Sequence, residues 1–436
     1  MGTSNPVRSA KTKADILIHS AAQLLTLTGG PQRGNDLGRL GLTEDGAMVV
    51  GGGKVLAVGT TSQIRRRYEA STEIDASDRV VLPGLIDPHT HLIWAGDRAA
   101  EFEMRLAGKT YLEILAAGGG ILSTVRQTRQ ASVEDLTGEG RQRLQRMLAH
   151  GTTTVEAKTG YGLETQAELR MLQAILRLDD EGPVELAPTF LGAHAVPPEY
   201  QGRADVYAEH LCREMLPAVR AWWLENAGQR PLPFVDVFCE TGAFDLAQSR
   251  RILETARELG FPLKVHADEF VSLGGTGLAV ELGAASADHL VRTPAKDIRA
   301  LGLSKTVAVA LPCTPFGLAE RDYTPARAIL EAGGILALAS DLNPGTAWCE
   351  SMQFAIALAC RYLQLTPAQA IAAATINAAA AIGRADRVGS LEPGKQADFL
   401  LLDTADYRHL GYRFGTNLVS TVVKAGRIVF KAHQGS

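Results

Sequence analysis

The sequence predicts a mixed α/β protein, a closed (β/α)8 barrel flanked by a small β-sandwich domain built from both ends of the chain. Three observations lead there. Eight apolar, β-branched runs recur through the middle of the chain with helical patterns between most of them, which is the alternation of parallel βα units. Both ends read as strands and turns, and neither end alone supplies a convincing core. The G-x-G-x-x-G turn of the competing open, doubly wound sheet is missing after the first of the eight runs.

The elements follow in order. Residues 14–20 and 46–50 are short β-branched runs, and 51–59 is a glycine turn feeding another strand. Over 80–86 the pattern becomes continuously apolar, as in a strand buried on both faces. The eight runs are 81–91, 152–158, 184–194, 234–240, 263–266, 284–289, 306–312 and 335–341. Asp245 caps a helical pattern of Leu246, Leu253, Ala256 and Leu259, and Thr366-Pro367 opens another helix with proline at its first position. Residues 389–403 return to turn and strand, and 422–430 read as a hairpin around Ala425-Gly426. The expected division is therefore 1–80 and 388–436 for the β-sandwich domain and 81–387 for the barrel.

Composition bounds the function. The 436 residues suit one barrel of about 250 residues plus an accessory part. With 44 basic against 48 acidic residues, nothing points to nucleic acid or an anionic membrane as the main partner. The five cysteines form no C-x-x-C pair and are odd in number, so free thiols are expected rather than a disulfide framework. The first thirteen residues are polar, with no apolar segment and cleavage site after them, and no run approaches the length of a membrane span. A cytoplasmic protein is the expectation.

The polar residues fall where the apolar runs end, which in such a barrel is the catalytic face. Run one ends His89-Thr90-His91, whose two imidazoles share one face of a strand. Run five offers His266 and Glu269, run six His289, and run eight Asp341. An H-x-H pair alone is a weak signal. Imidazoles and a carboxylate converging from strands one, five, six and eight are the donors of a transition-metal site. Histidines 19, 150, 210, 409 and 433 have no such placement.

Residues 82–91, reading LPGLIDPHTH, resemble the first-strand signature of the amidohydrolase superfamily. The finer pattern is similar to the imidazolonepropionase family in residues 95–105, 118–126, 158–162, 190–194, 266–269 and 340–346. The resemblance implies hydrolysis of the cyclic amide of 4-imidazolone-5-propanoate to N-formimidoyl-L-glutamate in histidine degradation, by a metal-activated water. It implies His89, His91, His266 and Asp341 as ligands of one zinc or iron ion. Binuclear superfamily members use a carboxylated lysine at the end of strand four. Run four ends in Glu240 and the strand-end Lys158 lies on run two, so a single ion is expected and Lys158 is read as orienting neighbouring groups.

The same resemblance assigns the remaining residues. Glu269 holds or shuttles a proton, His289 polarises the carbonyl or assists the water, and Asp341 doubles as proton relay. Arg98 pairs with the propionate as a bidentate fork. Tyr161, in a Gly-Tyr-Gly loop, leans over the ligand, His194 bonds the ring, and Asn343, Gly345 and Thr346 offer contacts to ring or carboxylate. Relatives in the superfamily suggest a homodimer. The alternative is another mononuclear amidohydrolase, such as a nucleobase-type deaminase, which has no need of Arg98. A non-catalytic scaffold is disfavoured because no metal ligand is lost.

Overall fold

The structure, a computed structural model, describes residues 11–109, 113 and 118–432. The polar first ten residues and His433 lie outside the described residues. The N-terminal part forms β1 (Thr12–Ala21), β2 (Gln23–Leu25), β3 (Leu42–Thr43), β4 (Gly46–Gly51), β5 (Lys54–Thr60), β6 (Tyr68–Asp75) and β7 (Val80–Pro83). The barrel strands are β8 (Leu85–Asp87), β9 (Thr152–Lys158), β10 (Glu185–Ala193), β11 (Phe234–Cys239), β12 (Lys264–Ala267), β13 (Ser286–His289), β14 (Val307–Ala310) and β15 (Ile335–Leu338). The C-terminal part adds β16 (Phe399–Leu402), β17 (Val419–Lys424) and β18 (Arg427–Lys431).

Both chain ends enter one pair of sheets. The first has the order β5-β4-β1-β6, and the second, β18-β17-β16-β7-β2-β3, mixes strands from the two ends. Ile16, Ile18, Met48 and Val50 of the first sheet share a buried cluster with Leu24, Val81, Phe399, Leu401 and Val423 of the second. Each such side chain contributes roughly 1.5–3 kcal/mol by leaving water. The β17–β18 hairpin turns at Ala425 and Gly426, both with positive φ. Strand β6, parallel to β1, is not among the runs expected from the sequence; its half-buried Tyr68, Ala70 and Ile74 alternate with exposed Glu69, Ser71, Glu73 and Asp75, but too few of its eight residues are apolar to stand out as a run.

The eight barrel strands are parallel neighbours in sequence order from β8 to β15. A parallel bridge between Thr90 and Leu342 joins the last strand to the first. The single run read over 81–91 is divided at Gly84. There the chain leaves its partner β16 and pairs with β9, and a Cβ on residue 84 would lie 2.3 Å from Thr153 Oγ1. Asp245 and Thr366 cap their helices with reciprocal bonds to Gln248 and Gln369. The short helix Ile376–Ala381 covers the N-terminal end of the barrel: Ile86 N–H donates to Ala374 O, and Ala381 packs with Val307, Val309 and Ile335. The C-terminal strand ends are left as the open mouth.

Glu185, at the start of β10, ties barrel to sandwich. It pairs with Arg384 at 2.7 Å, with Arg387, and with Lys424 of β17 at 3.3 Å. All five cysteines are free, three buried and two half-buried. Among the described residues, no helix is long and apolar enough to cross a membrane.

Candidate active site

A cavity of about 130 Å3 opens at the C-terminal mouth. Its wall includes His91, Arg98, Tyr161, His194, His266, Glu269, His289, Asp341, Asn343, Gly345 and Thr346. The structure thus brings together the residues singled out from the sequence except His89 and Lys158, which are both wholly buried and do not line the cavity.

The strands deliver these groups at or just beyond their C-terminal ends. His89 and His91 follow β8, His266 sits in β12, His289 ends β13, and Asp341 follows β15. His266 Nε2 is 3.4 Å from His91 Nε2, and Asp341 Oδ1 lies 3.4 Å from His89 Nε2 and 3.6 Å from His91 Nε2. The donor atoms of His89, His91 and Asp341 lie within 4.8 Å of one another, as do those of His89, His266 and His289. His289 and Asp341 are held at φ +78° and +54°, strained values for side chains with a Cβ. Thr324 donates to His289 O and Asn343 Nδ2 to Asp341 O at 2.7 Å, holding these turns.

The electrostatics suit a cation. Burial holds the imidazoles of His89, His91 and His289 well below their usual range, so they are neutral and present lone pairs. Burial raises Asp341 to about 6, against the hydrogen bond from Thr314. His89 Nε2, His289 Nε2 and Asp341 Oδ1 are buried with no hydrogen-bond partner. Orphaned acceptors in such a cluster need a ligand, and three nitrogens with one carboxylate oxygen are the donors of a zinc or iron site.

Glu269 faces the same space, with its carboxylate 3.6 Å from His289 Nε2. Burial raises its pKa well above the usual range, and the charges of Asp341 and Glu240 add to this, which favours the protonated carboxyl. His194 stacks on His91 at 4.7 Å, approaches Gly160 O at 3.0 Å, and is pushed down to about 3 by burial. Arg98 Nε donates to Glu101 at 2.8 Å. The Asn343 side chain shapes its own loop, accepting from the N–H groups of Gly345 and Thr346 at 2.8 Å each.

Several site residues escaped the sequence reading. Asp288 Oδ2 lies 2.6 Å from His89 Nδ1, and Asp236 Oδ2 lies 2.8 Å from His266 Nδ1, off the line of an ideal hydrogen bond. Glu240 accepts the N–H groups of Phe270 and Val271 at 2.9 and 3.1 Å, pinning the loop that follows Glu269. Phe238 and Ile121 line the cavity. A signal existed: polar residues two apart within apolar strands, as in Glu156 and Lys158 or Lys264 and His266, mark the barrel interior.

Comparison with known proteins gives the family and the fold. A profile of the amidohydrolase family matches residues 80–429. The chain is 53% identical over 417 residues to an imidazolonepropionase from Herpetosiphon aurantiacus, covering 95% of this chain and 97% of that protein. It is 52% identical to an imidazolonepropionase from Chloroflexus aggregans, covering 95% and 98%. Among solved structures, an adenosine deaminase from Xanthomonas campestris with bound zinc superposes with a TM-score of 0.68 at 20% identity, covering 96% and 93%. Guanine deaminase from E. coli gives 0.70 at 15%, covering 96% and 99%. Likeness at that identity carries the fold alone.

Proposed function

The chain belongs to the imidazolonepropionase family of the amidohydrolases, and from that premise we propose that it hydrolyses 4-imidazolone-5-propanoate to N-formimidoyl-L-glutamate in histidine degradation. The observation that carries this reading is one small cavity whose wall holds His91, His266 and Asp341, with His89 buried against them, and the Arg98 guanidinium. A deaminase of a neutral ring has no use for that guanidinium.

We assign His89, His91, His266 and Asp341 as the ligands of one zinc or iron ion per chain. Held there, such an ion supplies the Lewis acidity that makes water a competent nucleophile near neutral pH. The protein's own groups do the rest. Arg98 takes the propionate, and its Nε, engaged by Glu101, leaves the other nitrogens for the substrate. Tyr161 and His194 contact the ring, and Asn343, Gly345 and Thr346 offer contacts to the ring or the carboxylate. Neutral His289 accepts a proton as water oxygen bonds to the ring carbonyl carbon.

Glu269 donates its proton to the ring nitrogen as the C–N bond breaks. That nitrogen remains in the formimidoyl group, and the former carbonyl carbon becomes a carboxylate. Glu269 recovers a proton across the short gap to His289, and Asp341, besides serving as ligand, relays the water's second proton from the new carboxylic acid to the formimidoyl group, which leaves a carboxylate and a protonated formimidoyl group. A cytoplasmic location and a homodimer complete the proposal on family resemblance.

The test is turnover by purified protein of imidazolonepropionate against a panel of cyclic amides and aminopyrimidines. Loss of the imidazolone chromophore with formation of formimidoylglutamate is expected. Deamination of an aminopyrimidine with no opening of imidazolonepropionate would sink the reading.

A further inference from the structure

Below the cavity floor, Glu156, Lys158, Asp236, Lys264 and Asp288 are all wholly buried. Lys158 Nζ donates to Glu156 Oε1 at 2.7 Å and to Asp236 Oδ2 at 2.8 Å, and stands 3.9 Å from Asp288 Oδ2. Each of these carboxylates reaches onward to the metal donors. Asp288 holds His89 Nδ1, and Asp236 flanks His266 Nδ1 while its Oδ1 accepts the His266 N–H at 3.1 Å. Glu156 Oε2 accepts the N–H of Thr90, the residue between His89 and His91, at 3.1 Å. Carboxylates from β9, β11 and β13 therefore converge on one ammonium and diverge to the metal-binding histidines. Among the described carboxylates Lys264 pairs with Asp288, at 3.5 Å, and it donates to Ser286 Oγ at 2.6 Å, Pro88 O at 3.4 Å and Ala381 O at 3.5 Å.

We propose that Lys158 is a positioning residue for the metal site, a built-in buried cation that holds Asp236, Asp288 and Glu156 so that they orient His266, His89 and the His-x-His turn. Three buried carboxylates lacking a counter-charge are strongly unfavourable. A carboxylate on Nδ1 fixes the imidazole plane and directs the Nε2 lone pair to the ion. The ammonium hydrogen-bonds Asp236 and is a counter-charge 3.9 Å from Asp288, with Lys264 on the other side of Asp288 at 3.5 Å, which keeps both carboxylates behind the histidines rather than on the ion. This inference rests on the four-ligand metal reading given above.

The experiment measures Zn2+ dissociation by competition with a chromophoric chelator, and the visible spectrum of Co2+-loaded protein. It compares wild type, Lys158→Met, Lys158→Gln, Asp288→Asn and the Lys158→Met/Asp288→Asn pair. Lys158→Met is expected to weaken Zn2+ roughly 10–100-fold and to alter the Co2+ bands. Lys158→Gln, which keeps N–H donors, falls between it and wild type. The double variant loses less than the sum of the single losses, because Lys158 acts through Asp288. Unchanged affinity and bands in Lys158→Met, or strictly additive losses, overturn the inference and leave the metal site standing. Wild type that holds no metal overturns the site reading itself. If Lys158→Met does not fold, Lys158→Gln decides by the same two readouts.

Discussion

Arg98 and Gly345 approach so closely that a Cβ built on Gly345 would lie 2.3 Å from Arg98 Nη1. The loop after β15 and the segment after β8 thus meet at the guanidinium assigned to the substrate's carboxylate. A charge-assisted hydrogen bond contributes about 1.5–3 kcal/mol. Arg98→Ala is therefore expected to raise KM at least about tenfold, with metal content unchanged. Arg98→Lys recovers only part, because an ammonium lacks the planar fork. Gly345→Ala displaces the guanidinium and raises KM in the same direction. Steady-state kinetics with the acid and its amide analogue check this: equal discrimination by wild type and Arg98→Ala would place carboxylate recognition elsewhere.

Glu269→Gln keeps the side chain's size and removes its proton. The variant is expected to retain metal and lose roughly 10²–10⁴-fold in kcat. Metal analysis beside single-turnover kinetics separates the two effects. Near-normal turnover would remove Glu269 from the proton-handling role.

Protein purified without added metal is expected to carry close to one equivalent of zinc or iron, and its removal by chelation to abolish turnover, restored on adding the ion back. Elemental analysis gives the stoichiometry. Two equivalents would replace the mononuclear reading with a binuclear one.

The Glu185 cluster predicts an acid weakness. Burial opposes the charge of Glu185, but Lys424, Arg384 and Arg387 outweigh it and lower its pKa below 4.5 in the folded protein. The stabilisation is therefore complete above the unfolded value of 4.5 and fades as pH falls through the lower folded value. Glu185→Gln is expected to cost about 1.5–3 kcal/mol at neutral pH, with the gap to wild type narrowing below pH 4.5. Thermal melts of both proteins from pH 7 downward measure it. A gap that widens in acid would contradict the assignment.

The sequence by itself determined the pieces that depend on local pattern. The eight apolar runs, the caps at Asp245 and Thr366, the 425–426 hairpin and the placement of His89, His91, His266, His289 and Asp341 at strand ends were legible. Period-2 alternation and turn chemistry act over a few residues and leave their mark in order along the chain. The parallel pairing of β6, the division of the first run at Gly84 and the carboxylates that Lys158 gathers came only from the fold. A strand's alternation states which face a residue occupies, but not which residue of another strand stands opposite it. That depends on register and closure around the whole barrel. Asp236 and Asp288 meet His266 and His89 across 30 and 199 positions of chain, and Lys158 gathers them because burial without a counter-charge is so unfavourable for carboxylates.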